Sequence, residues 1–278
     1  MFGSKRVMVL GAGPAGLLAA HAAMTKGYEV IVVSRPDKDG KPAKSDLFGC
    51  QYLHAYIPGV GQMRDGWVPV KYDVVGPVDG YRAKVYGNGY QGPTSADEYG
   101  PEGDHAAWDL RRVYDVLWDH WRSRIVPISL NPLSAQAVFE NPGPILVTIP
   151  APAICRDMEN HKFSSARIWA MGAREQDQGE REFPYAPPEN TVVCNGDRDT
   201  SWYRAATVFG YSTLEWPGGN KPPIRGVVPV SKPLSTDCTC WLRVRARRNN
   251  VHRLGRFGRW EKGVLVHTAY YDTLKVLS

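Results

Sequence analysis

No apolar run in this chain approaches the ~20 residues needed to cross a bilayer, which excludes a membrane-spanning helix as its organising element. No Walker sequence, no HExxH and no Ser-His-Asp arrangement is present. Their absence argues against P-loop phosphotransfer, zincin and serine-hydrolase chemistry. No internal repeat is visible, and no linker separates independent domains. Cysteine is scarce: Cys50, Cys155, Cys194, Cys238 and Cys240. An odd count without a secretion signal reads as reduced thiols. The start, Met1 to Arg6, runs straight into an apolar strand and leaves no room for a signal peptide, so the cytoplasm is the expected location. Neither sign of charge dominates: 34 Lys and Arg face 28 Asp and Glu, a net charge of +6. That excess mildly favours anionic partners and does not by itself mean nucleic acid.

What is present is a chain of 278 residues, 43% hydrophobic, with 9 Trp and 14 Tyr. It suffices for one large domain or two small ones. The organising stretch is Val7 to Ser34. A short apolar strand enters Gly11-Ala12-Gly13-Pro14-Ala15-Gly16, an Ala-rich helix ends at Gly27, and a second strand runs from Tyr28 to Val33. This is a βαβ unit with a dinucleotide fingerprint in its first turn. Gly11 permits the tight turn, Gly13 lets a pyrophosphate approach the backbone, and Gly16 lets helix and strand pack closely. The helix N-terminus adds free N–H groups and the positive dipole end. The second strand ends in Ser34-Arg35 rather than in an acid. Ser34 can hydrogen-bond a ribose; Arg35 can accept a 2′-phosphate, which keeps NADP open.

Residues 35–105 read as loops and short strands, with Val68–Val74 and Tyr81–Tyr86 alternating like half-buried strands. Asp104 to Arg124 reads as a helix capped by Asp104, with Leu110, Val113, Tyr114, Leu117 and Trp121 on one face and Arg111 and Asp115 outside. Strands are expected at Ile125–Leu130, Ile145–Ile149, Thr191–Cys194, Val227–Val230 and Cys240–Val244. A polar loop is expected at Glu175–Glu189, and a closing helix from about Leu265 to Leu277.

Four separated pieces together resemble the UDP-galactopyranose mutase branch of the two-dinucleotide-binding-domain flavoproteins, which also include the amine oxidases. The first is GAGPAG. The second, Gly49-Cys50-Gln51-Tyr52-Leu53-His54, is similar to the mutase loop G-P-H-I-F-H beside the flavin, with Gln51 in place of its first histidine. The third is Val192 to Asp199 followed by Thr213-Leu214-Glu215-Trp216. It resembles Y-T-G-x-x-D and L-x-Y-R; Gly196 and Asp199 match, while Pro217 stands where the arginine belongs. The fourth, Gly255-Arg256-Phe257-Gly258-Arg259-Trp260, is similar to G-R-L-G-x-Y and the helix after it. The resemblance implies bound FAD. It does not carry the mutase activity across.

The expected fold is α/β: a Rossmann-type FAD-binding domain with a smaller β-rich substrate region. Residues 1–48 form the first part of the FAD domain. Residues 49–189 form a mixed substrate or cap region with part of the FAD domain, and 190–278 close the FAD domain. The resemblance assigns Gly11, Gly13, Pro14, Ala15, Gly16, Ser34, Arg35, Gly49, Gly196, Gly255, Arg256 and Trp260 to the cofactor. Gln51 and His54 are the candidates for the flavin face, since a histidine in a cleft can exchange protons near neutral pH. Tyr203, Arg204 and Arg259 are candidates for an anionic, phosphate-bearing small substrate, with packing and surface exposure as the competing readings for the first two.

Seven arginines between Arg243 and Arg259 (Arg243, Arg245, Arg247, Arg248, Arg253, Arg256 and Arg259) fit a nucleotide, a nucleic acid or a solvated basic face alike. Cys155, His161, Cys238 and Cys240 supply the four soft ligands of a closed zinc site, provided the two segments meet. The functional expectation is an FAD-dependent oxidoreductase working by hydride or electron transfer at flavin N5, with NADPH as a possible reductant. The alternatives are a redox-neutral, UDP-sugar-mutase-like flavoenzyme and a non-enzymatic nucleotide or nucleic-acid binder. Oligomeric state is left open.

Overall fold

Twelve strands among the described residues divide into two sheets, one parallel and one largely antiparallel. The computed structural model describes residues 5–98, 105–139, 143–174, 183–240 and 250–278. The strands begin with β1 (Arg6–Leu10), β2 (Glu29–Ser34), β3 (Val68–Val75) and β4 (His105–Ala107). They continue with β5 (Ile125–Pro127), β6 (Ile145–Val147), β7 (Phe163–Arg174) and β8 (Thr191–Asn195). The last are β9 (Arg204–Val208), β10 (Tyr211–Pro217), β11 (Val228–Thr236) and β12 (Val251–Arg253). The helices are α1 (Pro14–Thr25), α2 (Val78–Tyr86), α3 (Ser95–Glu98), α4 (Leu110–Trp121), α5 (Pro132–Phe139), α6 (Gly255–Arg259) and α7 (Thr268–Val276).

The first sheet has the order β12-β6-β1-β2-β5, every pairing parallel. Its central strands, VMVL and VIVV, are the near-continuous apolar runs that a sheet covered on both faces demands. Helix α1 is buried from Gly16 to Ala23 and packs against α4 and α7. That enclosure explains its Ala-rich, all-round apolar sequence. The second sheet has the order β11-β7-β10-β9-β8-β3-β4 and is antiparallel except where β3 pairs with β8. The architecture is α/β, a Rossmann-type sheet beside a β-rich one.

Several expectations need correction. Tyr81–Tyr86 is not a strand but most of α2. Tyr81 and Val85 stand four apart, so one helical face buries both, and the intervening Ala83 only mimics alternation. Pro77 precedes this helix, Asp79 lies in its first turn and Gly87 ends it at φ +87°. Asp104 lies outside the described residues. The next long helix instead starts at Leu110, where the Asp109 carboxylate accepts the N–H groups of Arg111 (2.9 Å) and Arg112 (3.1 Å). Residues 105–107 are strand. The strands expected to reach Leu130 and Ile149 stop at Pro127 and Val147.

The strand near Val227 extends to Thr236, with a bulge at Pro233–Ser235. Past Cys240, the strand expected at Cys240–Val244 lies outside the described residues, as do Arg243, Arg245, Arg247 and Arg248. The chain between Thr191 and Thr236 builds the second sheet, and the return to the first sheet comes only at β12. No helix among the described residues is long and apolar enough to cross a membrane. All five cysteines are free.

Candidate functional site

The order β6-β1-β2 places β1 between strands reached by crossovers in opposite directions. In open parallel sheets, ligands bind at the carboxyl ends of the strands at such a point. The glycine loop sits there. Gly11 has φ +112°, and a Cβ on it would lie 2.6 Å from the Thr148 hydroxyl. A Cβ on Gly16 would be driven into the carbonyl oxygen of Gly11. Both glycines are demanded by the fold. Gly13 is different: its φ is −70°, open to any residue, and a Cβ on it would meet only the Ser45 hydroxyl, at 3.4 Å. Pro14 opens α1, and no side chain caps it, so the first-turn N–H groups are free for an anion. Gly255 comes down on this loop, its Cβ position 2.8 Å from the Cβ of Ala15. Ser34, half-buried, and Arg35, exposed, follow at the end of β2.

Two segments connect this cradle to a buried charged cluster. One is the strap through Ser45 and Gly49. Its backbone is held by Tyr114, whose hydroxyl accepts Ser45 N–H (3.0 Å) and donates to the Ala12 carbonyl (2.9 Å). The Arg111 guanidinium donates to the carbonyls of Leu47 (3.3 Å), Gly49 (3.2 Å) and Gln51 (3.4 Å), and lies 3.5 Å from the ring centre of Tyr211. Helical spacing puts Arg111 on the outside of its helix; in the fold it clamps the strap instead. Asp115 is exposed and pairs with Lys44 at 2.7 Å. A Cβ on Gly49 would lie 2.6 Å from Glu215 Oε1, so the strap ends against the cluster. The other segment is Gly255-Arg256: Gly255 touches the cradle, and Arg256 lies where Glu215, Arg204, Tyr203 and Tyr86 act on its charge.

The cluster centres on Glu215, 1% exposed. Arg204 donates to its Oε1 at 2.5 Å; Lys232 (2.6 Å) and the Tyr203 hydroxyl (2.5 Å) donate to its Oε2. Burial alone would raise the Glu215 carboxyl, but Arg204 and then Lys232 outweigh it and hold it well below the ordinary carboxylate range. Lys232 is pushed down to about 7, by burial first and by Arg204 second, against the pull of Glu215. Three cations, Arg204, Lys232 and Arg256, therefore share one carboxylate. The buried Nε atoms of Arg111, Arg204 and Arg256 have no hydrogen-bond partner. Such an imbalance suits a bound anion.

Lys232 makes this testable. Its unfolded value is about 10.4. Between pH 7 and that value the unfolded state binds the extra proton, so stability rises with pH. The stability of the parent relative to Lys232→Met is expected to grow across this window by on the order of 1 kcal/mol per pH unit. Urea melts from pH 6 to pH 10 read it, and a difference independent of pH would contradict a titrating Lys232.

Of the residues singled out in the sequence, Gly11, Gly13, Pro14, Ala15, Gly16, Ser34, Arg35 and Gly255 converge at the cradle, and Gly49 and Arg256 join it to the cluster. Tyr203 is fully buried and Arg204 nearly so; they are members of the cluster and not of an open surface. Gln51 Nε2 donates to the Phe48 carbonyl at 2.6 Å and shapes the strap. His54 stacks on Tyr52 at 4.5 Å and lies 6.0 Å from His267. Burial, with His267 and His105 adding to it, lowers it to about 4. Gly196 packs under Pro77 at the start of α2, in the second sheet. Arg259 pairs with Asp272, and Trp260 donates to the Ser164 carbonyl at 2.9 Å. Cys155, His161, Cys238 and Cys240 do meet: their ligand atoms all lie within 4.8 Å of one another. Nothing in the sequence pattern assigns a role to Glu215, Lys232 or Arg111. The one signal available is a lone Glu in the otherwise uncharged strand YSTLEWP.

No protein-family profile and no curated protein matches the chain. Solved structures do. The structure of CtdE in complex with FAD and a substrate aligns with a TM-score of 0.52 at 12% identity, covering 99% of this chain and 80% of that one. The tetrameric form of 2-methyl-3-hydroxypyridine-5-carboxylic acid oxygenase aligns with a TM-score of 0.48 at 12% identity, over 98% and 86% of the two chains. The p-nitrophenol 4-monooxygenase PnpA from Pseudomonas putida DLL-E4 gives 0.43 at 12%, over 91% and 72%. Nothing in these comparisons supports the likeness to the UDP-galactopyranose mutases. By fold, the chain is a Rossmann-type parallel sheet joined to a β-rich one.

Proposed function

We propose that the chain binds FAD at the glycine cradle and is a flavin-dependent oxidoreductase acting on a small anionic substrate. The observation that carries the reading is the open face of Gly13. Neither its backbone angles nor its protein neighbours call for glycine, whereas a pyrophosphate drawn to the α1 N-terminus does. The fold shared with CtdE, solved with FAD, supports it.

The Ala15 and Gly16 N–H groups hold the pyrophosphate, and Ser34 and Arg35 lie toward the adenosine ribose. Three residues separate Ser45 from Gly49, so the two Cα atoms are at most about 14 Å apart. A dinucleotide lying along the strap thus reaches the Glu215 cluster. When bound, the flavin supplies hydride or electron transfer at N5. The protein's own part is electrostatic and positional. Arg256 and Arg204 hold the substrate's negative charge. Lys232, with its proton in play near pH 7, takes up a proton at Nζ when a bound anion adds negative charge beside it and gives it back to solvent when that anion leaves. Glu215 fixes both cations.

The purified protein is expected to be yellow and to release FAD on denaturation. Anaerobic titration with NADPH and with NADH then tests which nicotinamide cofactor reduces it. A colourless protein that fails to take up added FAD would rule the reading out.

A further inference from the structure

The four ligand atoms of Cys155, His161, Cys238 and Cys240 meet for a topological reason. Strands β7 and β11 pair with Phe163 opposite Thr236. Residues just before β7 and just after β11 therefore leave the ladder at the same end. Lys162 N–H donates to Asp237 Oδ1 (2.8 Å), and the Thr236 hydroxyl donates to the Lys162 carbonyl (2.9 Å) while accepting Cys238 N–H (3.1 Å). These bonds fix His161 beside Cys238 and Cys240. Cys155 arrives from the other sheet, at the end of the 3-10 turn Ala151–Ile154 that follows β6.

We propose that Cys155, His161, Cys238 and Cys240 form a structural zinc site. Cys155 Sγ lies 3.2 Å from His161 Nδ1, 3.5 Å from Cys238 Sγ and 3.9 Å from Cys240 Sγ; Cys240 Sγ lies 3.6 Å from His161 Nδ1. Two thiolates about 2.3 Å from a tetrahedral zinc are about 3.8 Å apart, and a thiolate and an imidazole nitrogen slightly closer. The observed spacings bracket those edges. Three sulfurs and one nitrogen close the coordination shell, the mark of a structural site. Ligation through Nδ1 places the His161 proton on Nε2. A disulfide would use two of the thiols and strand the third with the imidazole. Zinc with three thiolates carries one net negative charge, and Arg253 is close enough for its charge to act on Cys238 and Cys155.

The site fastens the exit of β6 to the shared end of β7 and β11. The chain next described after Cys240 is β12, which pairs with β6, and then α6, which packs on the Cys155 turn and carries Gly255. The metal thus holds the second sheet to the side of the first that presents α6.

Metal analysis of the reduced, purified protein is expected to give one zinc per chain. A mercurial reagent should release it, and exchange with cobalt(II) should yield the intense visible bands of a tetrahedral thiolate site. Cys240→Ser is expected to lose at least nine-tenths of the zinc, and Cys50→Ser to keep it. The cobalt spectrum of the parent stands as evidence even if Cys240→Ser fails to fold. The proposal is overturned by a parent protein that holds neither zinc nor tetrahedral cobalt, by a metal-free Cys155–Cys238 disulfide, or by a Cys240→Ser variant with full zinc. None of these readouts depends on FAD.

Discussion

Glu215→Gln is expected to cost about 3–5 kcal/mol, because it leaves Arg204 and Lys232 buried without their shared counter-charge. For a chain of this size that is a fall in melting temperature of roughly 10 °C. Glutamine keeps the shape and one acceptor, so lost packing contributes little. The companion variant Glu215→Gln/Lys232→Met removes one stranded cation and should recover part of the loss, a non-additivity expected for groups in contact. Acid gives the sign. Glu215 titrates below its unfolded value of about 4.3, so its stabilisation is complete above that value and fades as pH falls through the folded one. The gap between parent and variant should therefore narrow below about pH 4. Chemical denaturation at pH 7 and pH 3.5 measures both. If Glu215→Gln matches the parent at pH 7, the carboxylate does not balance the cluster.

The cluster is hard to read in the sequence because nothing local marks it. Arg204, Glu215 and Lys232 lie on three strands, and they meet only because β9, β10, β7 and β11 pair in that order. Arg111 sits beside Arg112 on α4, and charge alone puts both in solvent. The cradle is legible for the opposite reason. Strand, glycine turn, helix and strand are contiguous, and Gly11 and Gly16 are each required by contacts within a few residues or by the neighbouring strand β6. The cysteine and histidine set lies between these cases. Donor chemistry names the four residues, but only the β7–β11 register brings His161 to Cys238 and Cys240. Tyr81–Tyr86 shows the remaining weakness: a four-residue repeat sampled twice satisfies both a strand and a helix, and the Pro77 and Gly87 boundaries decide it.

Gly13→Ala is expected to weaken FAD binding roughly 10- to 100-fold, the affinity equivalent of an overpacking cost of about 1–3 kcal/mol. Gly13→Val should abolish it. The apoprotein should barely respond to Gly13→Ala. The position has φ −70° and only the Ser45 hydroxyl nearby, so stability should change by no more than about 1 kcal/mol, the ordinary difference between glycine and alanine at a helix N-cap. Gly16→Ala supplies the contrast. Its methyl group enters the carbonyl of Gly11, so apoprotein stability and cofactor binding should fall together. The pair separates a glycine kept for a ligand from one kept for packing. Thermal melts of the apoproteins, alongside flavin fluorescence titrations, give both quantities for each variant. If Gly13→Ala binds FAD as tightly as the parent, the pyrophosphate does not rest on this loop. The glycine pattern then records only the close packing of α1 on β1 and β6.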